Sequence, residues 1–182
     1  MDEMVLKSLA KWPNVPHCYG WLGLDARGNW FMRDDRAQAA GPFAAADGGS
    51  LSSKGSRLQH DGLIAFIERN YAPDASGQWF FQNGPQRVYV ELEATPWIWR
   101  LRDDGPGGIH VAAHSGQLVA VQRCLLDEAG RVYLVTGLGV GLVHSQDVAV
   151  AALAVEQNLW LPEPIRAADI PVQFGFARSP KP

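Results

Sequence analysis

The chain has little of what usually advertises chemistry. Its 182 residues include two cysteines, Cys18 and Cys124, too few for a disulfide framework. Each sits beside an Asp-x-x-Gly turn and reads as a small buried apolar residue. A reactive thiol needs surroundings that stabilise the thiolate, and nothing in the sequence supplies them. The net charge of -3 comes with no basic stripe, so nucleic acid is not an expected partner. The longest apolar run, Val148 to Val155, is about a third of a bilayer-spanning helix, so no membrane contact is expected. The N-terminus opens on Asp2 and Glu3, and Lys7 and Lys11 break up its apolar residues. That is not the pattern of a secretory leader, and the expected location is the cytoplasm. There is no Gly-x-Ser-x-Gly elbow and no Gly-Lys-Ser/Thr phosphate loop. No cofactor is expected.

What is present speaks of architecture. An apolar fraction of 47% with 19% charged residues is ordinary for a globular protein. The length suffices for one sizeable core or two small ones. Seven Trp, 19 Gly and 12 Pro imply aromatic packing, many turns and few long helices.

One segment type occurs twice. Trp21-Leu-Gly-Leu-Asp25-Ala-Arg-Gly28-Asn-Trp30 is matched by Cys124-Leu-Leu-Asp127-Glu-Ala-Gly130-Arg-Val-Tyr133. Downstream, Leu58-Gln-His60-Asp61 precedes one helical pattern and Leu142-Val-His144-Ser145 another. The expected fold class is therefore α+β: two tandem related subdomains, each of antiparallel strands and hairpins with one main helix. The expected division is residues 1–100 and 101–182, with the turn-rich stretch Pro96 to Gly108 at the boundary.

Within this frame, residues 2–11 predict a short helix and 18–33 a hairpin. Residues 34–56 carry little periodicity and predict a mobile surface loop. Leu63, Ile64, Ile67 and Tyr71 recur at helical spacing behind His60 and Asp61. After a third turn, Asp74 to Gly77, strands are expected at 78–82 and 87–94. In the latter, Val88, Val90, Leu92 and Ala94 alternate with Tyr89, Glu91 and Glu93, as in a half-buried strand. Strands are then expected at 109–113, 117–126 and 131–142. A second helix over 146–158, apolar almost all round, should be the more deeply buried. Val172, Phe174 and Phe176 predict a final strand.

The stretches Asp25-x-x-Gly28-Asn-Trp30-Phe, Gly77-Gln-Trp79-Phe-Phe and Asn83-Gly-Pro-Gln86-Arg-Val-Tyr-Val90-Glu-Leu-Glu-Ala-Thr-Pro96-Trp97 resemble the proteobacterial domain-of-unknown-function family DUF1285. The resemblance covers most of the chain. It implies a bacterial protein with a two-subdomain α+β fold, no established activity, and a role in signalling or regulation. Where that family places Thr-Pro-x-Glu, this chain has Asn83-Gly84-Pro85-Gln86. An amide there cannot act as a base.

Candidate functional residues are few. His110 and His114, in His-Val-Ala-Ala-His, share a face on a helix or a strand and form the start of a metal site. No third ligand is evident, and solvated surface is the simpler reading. His60 and His144 stand just before their helices, where Asp61 and Ser145 are the expected N-caps. The run Thr136 to Leu142 alternates Gly with Leu or Val, and reads as a strand closely approached on one face. Trp97 and Trp99 share a strand face at the expected boundary.

The function expected from these observations is a non-enzymatic module that binds a small molecule or a protein partner in a cleft between the halves. His60, Asn83, Gln86, Arg87, Trp97, Trp99 and His144 are its candidate lining, and a homodimer is one possible assembly. The alternative is a metal-assisted hydrolase using His110 and His114.

Overall fold

The computed structural model describes the chain apart from residues 13, 45–50, 106 and 107 and the side chain of residue 51. It divides into two compact units, one of Met1–Asp25, Asn29–Ala94 and Gly175–Pro182, the other of Ala26–Gly28 and Thr95–Phe174.

The first unit holds helices α1 (Glu3–Lys11), α2 (Asp35–Ala39), α3 (Leu51–Lys54) and α4 (Asp61–Arg69). Its strands are β1 (Cys18–Leu24), β2 (Trp30–Met32), β3 (Ser56–Arg57), β4 (Tyr71–Pro73), β5 (Trp79–Asn83) and β6 (Gln86–Leu92). They form one sheet in the order β3-β2-β1-β6-β5-β4. Neighbours run antiparallel except β1 and β6, which are parallel, as strands separated by a long excursion can be.

The second unit has a seven-stranded sheet. Its strands are β7 (Trp97–Asp103), β8 (Ile109–Ala113), β9 (Leu118–Val119), β10 (Val121–Leu126), β11 (Val132–Thr136), β12 (Gly139–Val143) and β13 (Pro162–Pro164). The order is β13-β10-β11-β12-β7-β8-β9, with β7–β12 and β10–β13 parallel. Helices α5 (Val148–Glu156) and α6 (Ile170–Gln173) complete it. The fold is α+β, with two sheet subdomains in tandem.

The Asp-x-x-Gly turns work as chelates of backbone amides. Asp25 Oδ1 accepts from the Asn29 amide at 2.8 Å, Asp74 Oδ1 from Gln78 at 2.9 Å, and Asp127 Oδ1 from Arg131 at 2.8 Å. In each the glycine has φ between 75° and 79°, a conformation that costs other residues energy.

Several expectations are corrected. The segment 34–56 is structured where it is described. Asp34 caps α2 by accepting from the Ala37 amide at 2.9 Å, and α3 follows. Residues 45–50 of that expected loop lie outside the described residues. The expected strand 131–142 is a hairpin, turning at Gly137 and Leu138 between β11 and β12. Helix α5 buries Ala151 and Ala154, small side chains that let a helix approach a sheet closely, where α4 buries Ile67 alone; the rest of its apolar surface is only partly covered. The expected last strand is instead the short helix α6, with Pro171 in its first turn and Val172 86% exposed. Proline pre-sets helical φ there, which overrides the alternation.

Candidate apolar binding site

The first sheet carries a half-open cavity of about 250 Å³ beneath α4. Register explains its floor. Cys18 on β1 pairs with Val88 on β6, and Val88 pairs with Phe81 on β5. Leu22 pairs with Met32 on β2. Residues opposite one another across strands project to the same side, so these five side chains form one surface. Leu63 and Ile67 of α4 line it from the helix, one turn apart. Leu58, Trp21 and Asn83 complete the lining. Between Cys18 and Leu22 the β1–β6 register shifts, an irregularity that re-aims side chains.

The lining is apolar apart from the Asn83 amide, the Cys18 thiol and the Trp21 indole N–H, and among the described residues it holds no carboxylate, guanidinium or ammonium. Two of its large side chains stay open to solvent: Trp21 is 44% exposed and Met32 48%. Val88 belongs to the same strand as fully buried Val90 and Leu92 yet is only half-buried, because it faces this space. On the same strand Tyr89, expected on the solvent face, is buried, stacked on Tyr19 with ring centroids 4.5 Å apart.

The expected site residues fall into separate places. His60, Asn83, Gln86 and Arg87 belong to the first unit; Trp97, Trp99 and His144 belong to the second. Asn83 lines the cavity. His60 serves it indirectly: its Nδ1, rather than Asp61, caps α4 by accepting from the Leu63 amide at 3.1 Å. Gln86 donates to the Pro16 carbonyl at 2.9 Å. Arg87 lies over the Phe80 ring, 4.5 Å from its centroid.

In the second unit the stacked indoles of Trp97 and Trp99 donate to the Leu138 and Leu134 carbonyls. The close approach expected along β12 is real. A Cβ on Gly141 would strike the Trp99 ring and come within 2.7 Å of the Trp97 carbonyl oxygen. His144, rather than Ser145, caps the short helical turn Ser145–Asp147, its Nδ1 accepting from the Gln146 amide at 3.1 Å.

His110 and His114 do different things. His110 is exposed beside Asp104, at 3.6 Å, in a depression of about 600 Å³ that Arg100, Arg102 and Leu118 also line. His114 leaves the strand at the β8–β9 turn; its Nδ1 accepts from the Ile98 amide at 3.3 Å, and its ring packs on Trp97. Among the described residues no three His, Cys, Asp or Glu side chains are grouped to hold a metal ion. Both cysteines are free, Cys124 buried and Cys18 half-buried in the cavity wall. Among the described residues no helix is long and apolar enough to cross a membrane.

Two sheets of six and seven strands with short helices define the class, an α+β protein. The chain belongs to DUF2944, a family described as "Protein of unknown function (DUF2946)", whose profile matches residues 1–181. Two solved structures are similar to it. One is a DUF1285 family protein from Silicibacter pomeroyi DSS-3, at 11% identity over 83% of each chain with a TM-score of 0.47. The other is a DUF1285 family protein from Shewanella baltica OS155, at 16% identity over 73% of this chain and 91% of that one, with a TM-score of 0.46. Among curated proteins nothing matches.

Proposed function

We propose that the chain is a binding module whose first unit takes a small apolar ligand in the cavity beneath α4, and that it works by binding rather than by turnover. One observation carries this function. A 250 Å³ space is walled by apolar side chains, with Trp21 and Met32 left open to water at its rim. Contiguous apolar surface left open to water marks a place where something binds, and a concave apolar space with a few polar groups is the usual form of a small-molecule site. A ligand seated there touches the sheet and α4 together. Its arrival therefore bears on the helix position, which suits a regulatory or signalling role.

The test is thermal melting of the full chain against a panel of small neutral apolar compounds, compared with a Leu63→Phe variant whose larger ring fills the space. A ligand at a hundredfold excess over its dissociation constant stabilises the folded state by about 2.7 kcal/mol. The wild type is expected to rise in Tm with at least one compound, and the variant to fold but not respond. Equal responses, or none in the wild type, overturn the function.

A further inference from the structure

We infer that the ligand is an uncharged aromatic ring system of one or two fused rings, bearing a polar edge group that Asn83 reads; this rests on the cavity being a binding site as proposed above. Charge decides first. Among the described residues Cys18 is the one ionisable group in the lining, and no full charge stands there to meet another. A carboxylate, phosphate or ammonium moved into such a space loses its hydration and finds no counter-charge, so the seated part is neutral.

Size decides next. Apolar cavities of about 150 Å³ hold a benzene ring. At about 250 Å³ this one is larger by more than half, which admits a second fused ring but not a long chain in full.

The chemistry of the wall separates a ring from an alkyl chain of equal volume. Trp21 and Phe81 present aromatic surfaces, and Met32 and Cys18 present sulfur. Offset or edge-on ring pairs and sulfur–ring contacts favour an aromatic guest beyond the area it buries. An alkyl chain benefits from burial alone.

Asn83 sets the polar requirement. It ends β5 directly opposite Gln86, whose own amide is held by the Pro16 carbonyl. Its carboxamide is exposed and offers one acceptor and two donors at the cavity. A heteroaromatic N–H or a phenolic O–H at the edge of the ring is the complementary group.

The experiment is calorimetric titration of the full chain with four probes: indole, benzofuran (the same shape without the N–H), octan-1-ol and ionised indole-3-acetate. Indole is expected to bind most tightly, ahead of benzofuran by roughly two- to tenfold, the worth of one net hydrogen bond. In Asn83→Ala, a substitution at an exposed position, that preference should disappear, with indole and benzofuran then binding equally. Octanol binding as tightly as indole, or indole-3-acetate as tightly as indole, overturns the ligand class and leaves the cavity standing as a site. Indole and benzofuran binding equally to the wild type overturns the role of Asn83. Binding by none of the four overturns both this inference and the function it rests on.

Discussion

The Nε of Arg33 donates to the carbonyl of Ser53 at 2.8 Å, from a side chain that is only 4% exposed. The same guanidinium donates to the carbonyls of Gly20, Ala37 and Gly41. One buried cation thereby gathers β1, α2, α3 and the chain between them. Burial lowers its pKa from the ordinary value, and Glu91 opposes that shift. Arg33→Met removes these donors and leaves buried carbonyls unsatisfied. The expected cost is about 3 kcal/mol in denaturant unfolding, with faster tryptic cleavage after exposed Arg36. Unchanged stability would contradict the clamp.

Gly141 and Trp99 make a second relationship of this kind. The indole occupies the volume where a side chain at 141 would go. Gly141→Ala is expected to destabilise by about 1–3 kcal/mol through overpacking. Gly137→Ala, where a Cβ meets nothing within 4 Å, should change stability little. Thermal melts of the two variants side by side check the difference.

The cap at His60 positions Leu63 for the cavity. His60→Ala removes the Nδ1 acceptor and should cost about 1 kcal/mol, as lost N-caps do. His60→Asn restores a capping oxygen and is expected to recover most of it. Chemical denaturation of the three proteins measures this.

Acid should unfold the second unit through its carboxylates. Burial alone would raise Asp127, yet the Arg131 amide and guanidinium, the Tyr133 hydroxyl and the Ala129 amide hold it below the ordinary aspartate value. For Asp147, burial is likewise outweighed by Arg100 and the Leu101 amide, with Arg100 Nε 2.6 Å away. A carboxyl whose folded pKa lies below its unfolded value binds fewer protons when folded. Its stabilisation is complete above about pH 4 and is lost as pH falls through the folded value. Asp127→Asn should therefore lower stability at neutral pH by about 2 kcal/mol and flatten the acid dependence below about pH 4. Unfolding curves from pH 2 to 7 test both.

Much of this fold is legible in the sequence, for identifiable reasons. The Asp-x-x-Gly turns, α4 and the hairpin at 18–32 rest on local signals: turn chemistry, helical spacing and alternation. Local reading fails where a distant contact decides. Arg33 looks like surface in any local window, and only the fold reveals the carbonyls that bury it. Tyr89 alternates with buried residues yet is buried itself, because Tyr19 and Asp74 cover its face. His60 and His144 look like residues outside the cap, since imidazole is a rare cap beside Asp or Ser. Of the cavity, the sequence points to Asn83, and to His60 near it; Cys18 and Val88 read only as core and Met32 only as part of a hairpin. Their convergence depends on strand register across β1, β2, β5 and β6, which alternation alone does not fix.

The most direct test of the central claim is methyl NMR of the full chain during titration with indole. Saturable shift changes are expected at the Met32, Leu63 and Val88 methyls, while those of Met4 and Val172, exposed elsewhere, stay in place. Uniform small shifts across all methyls, or none at these three, would contradict a binding site beneath α4.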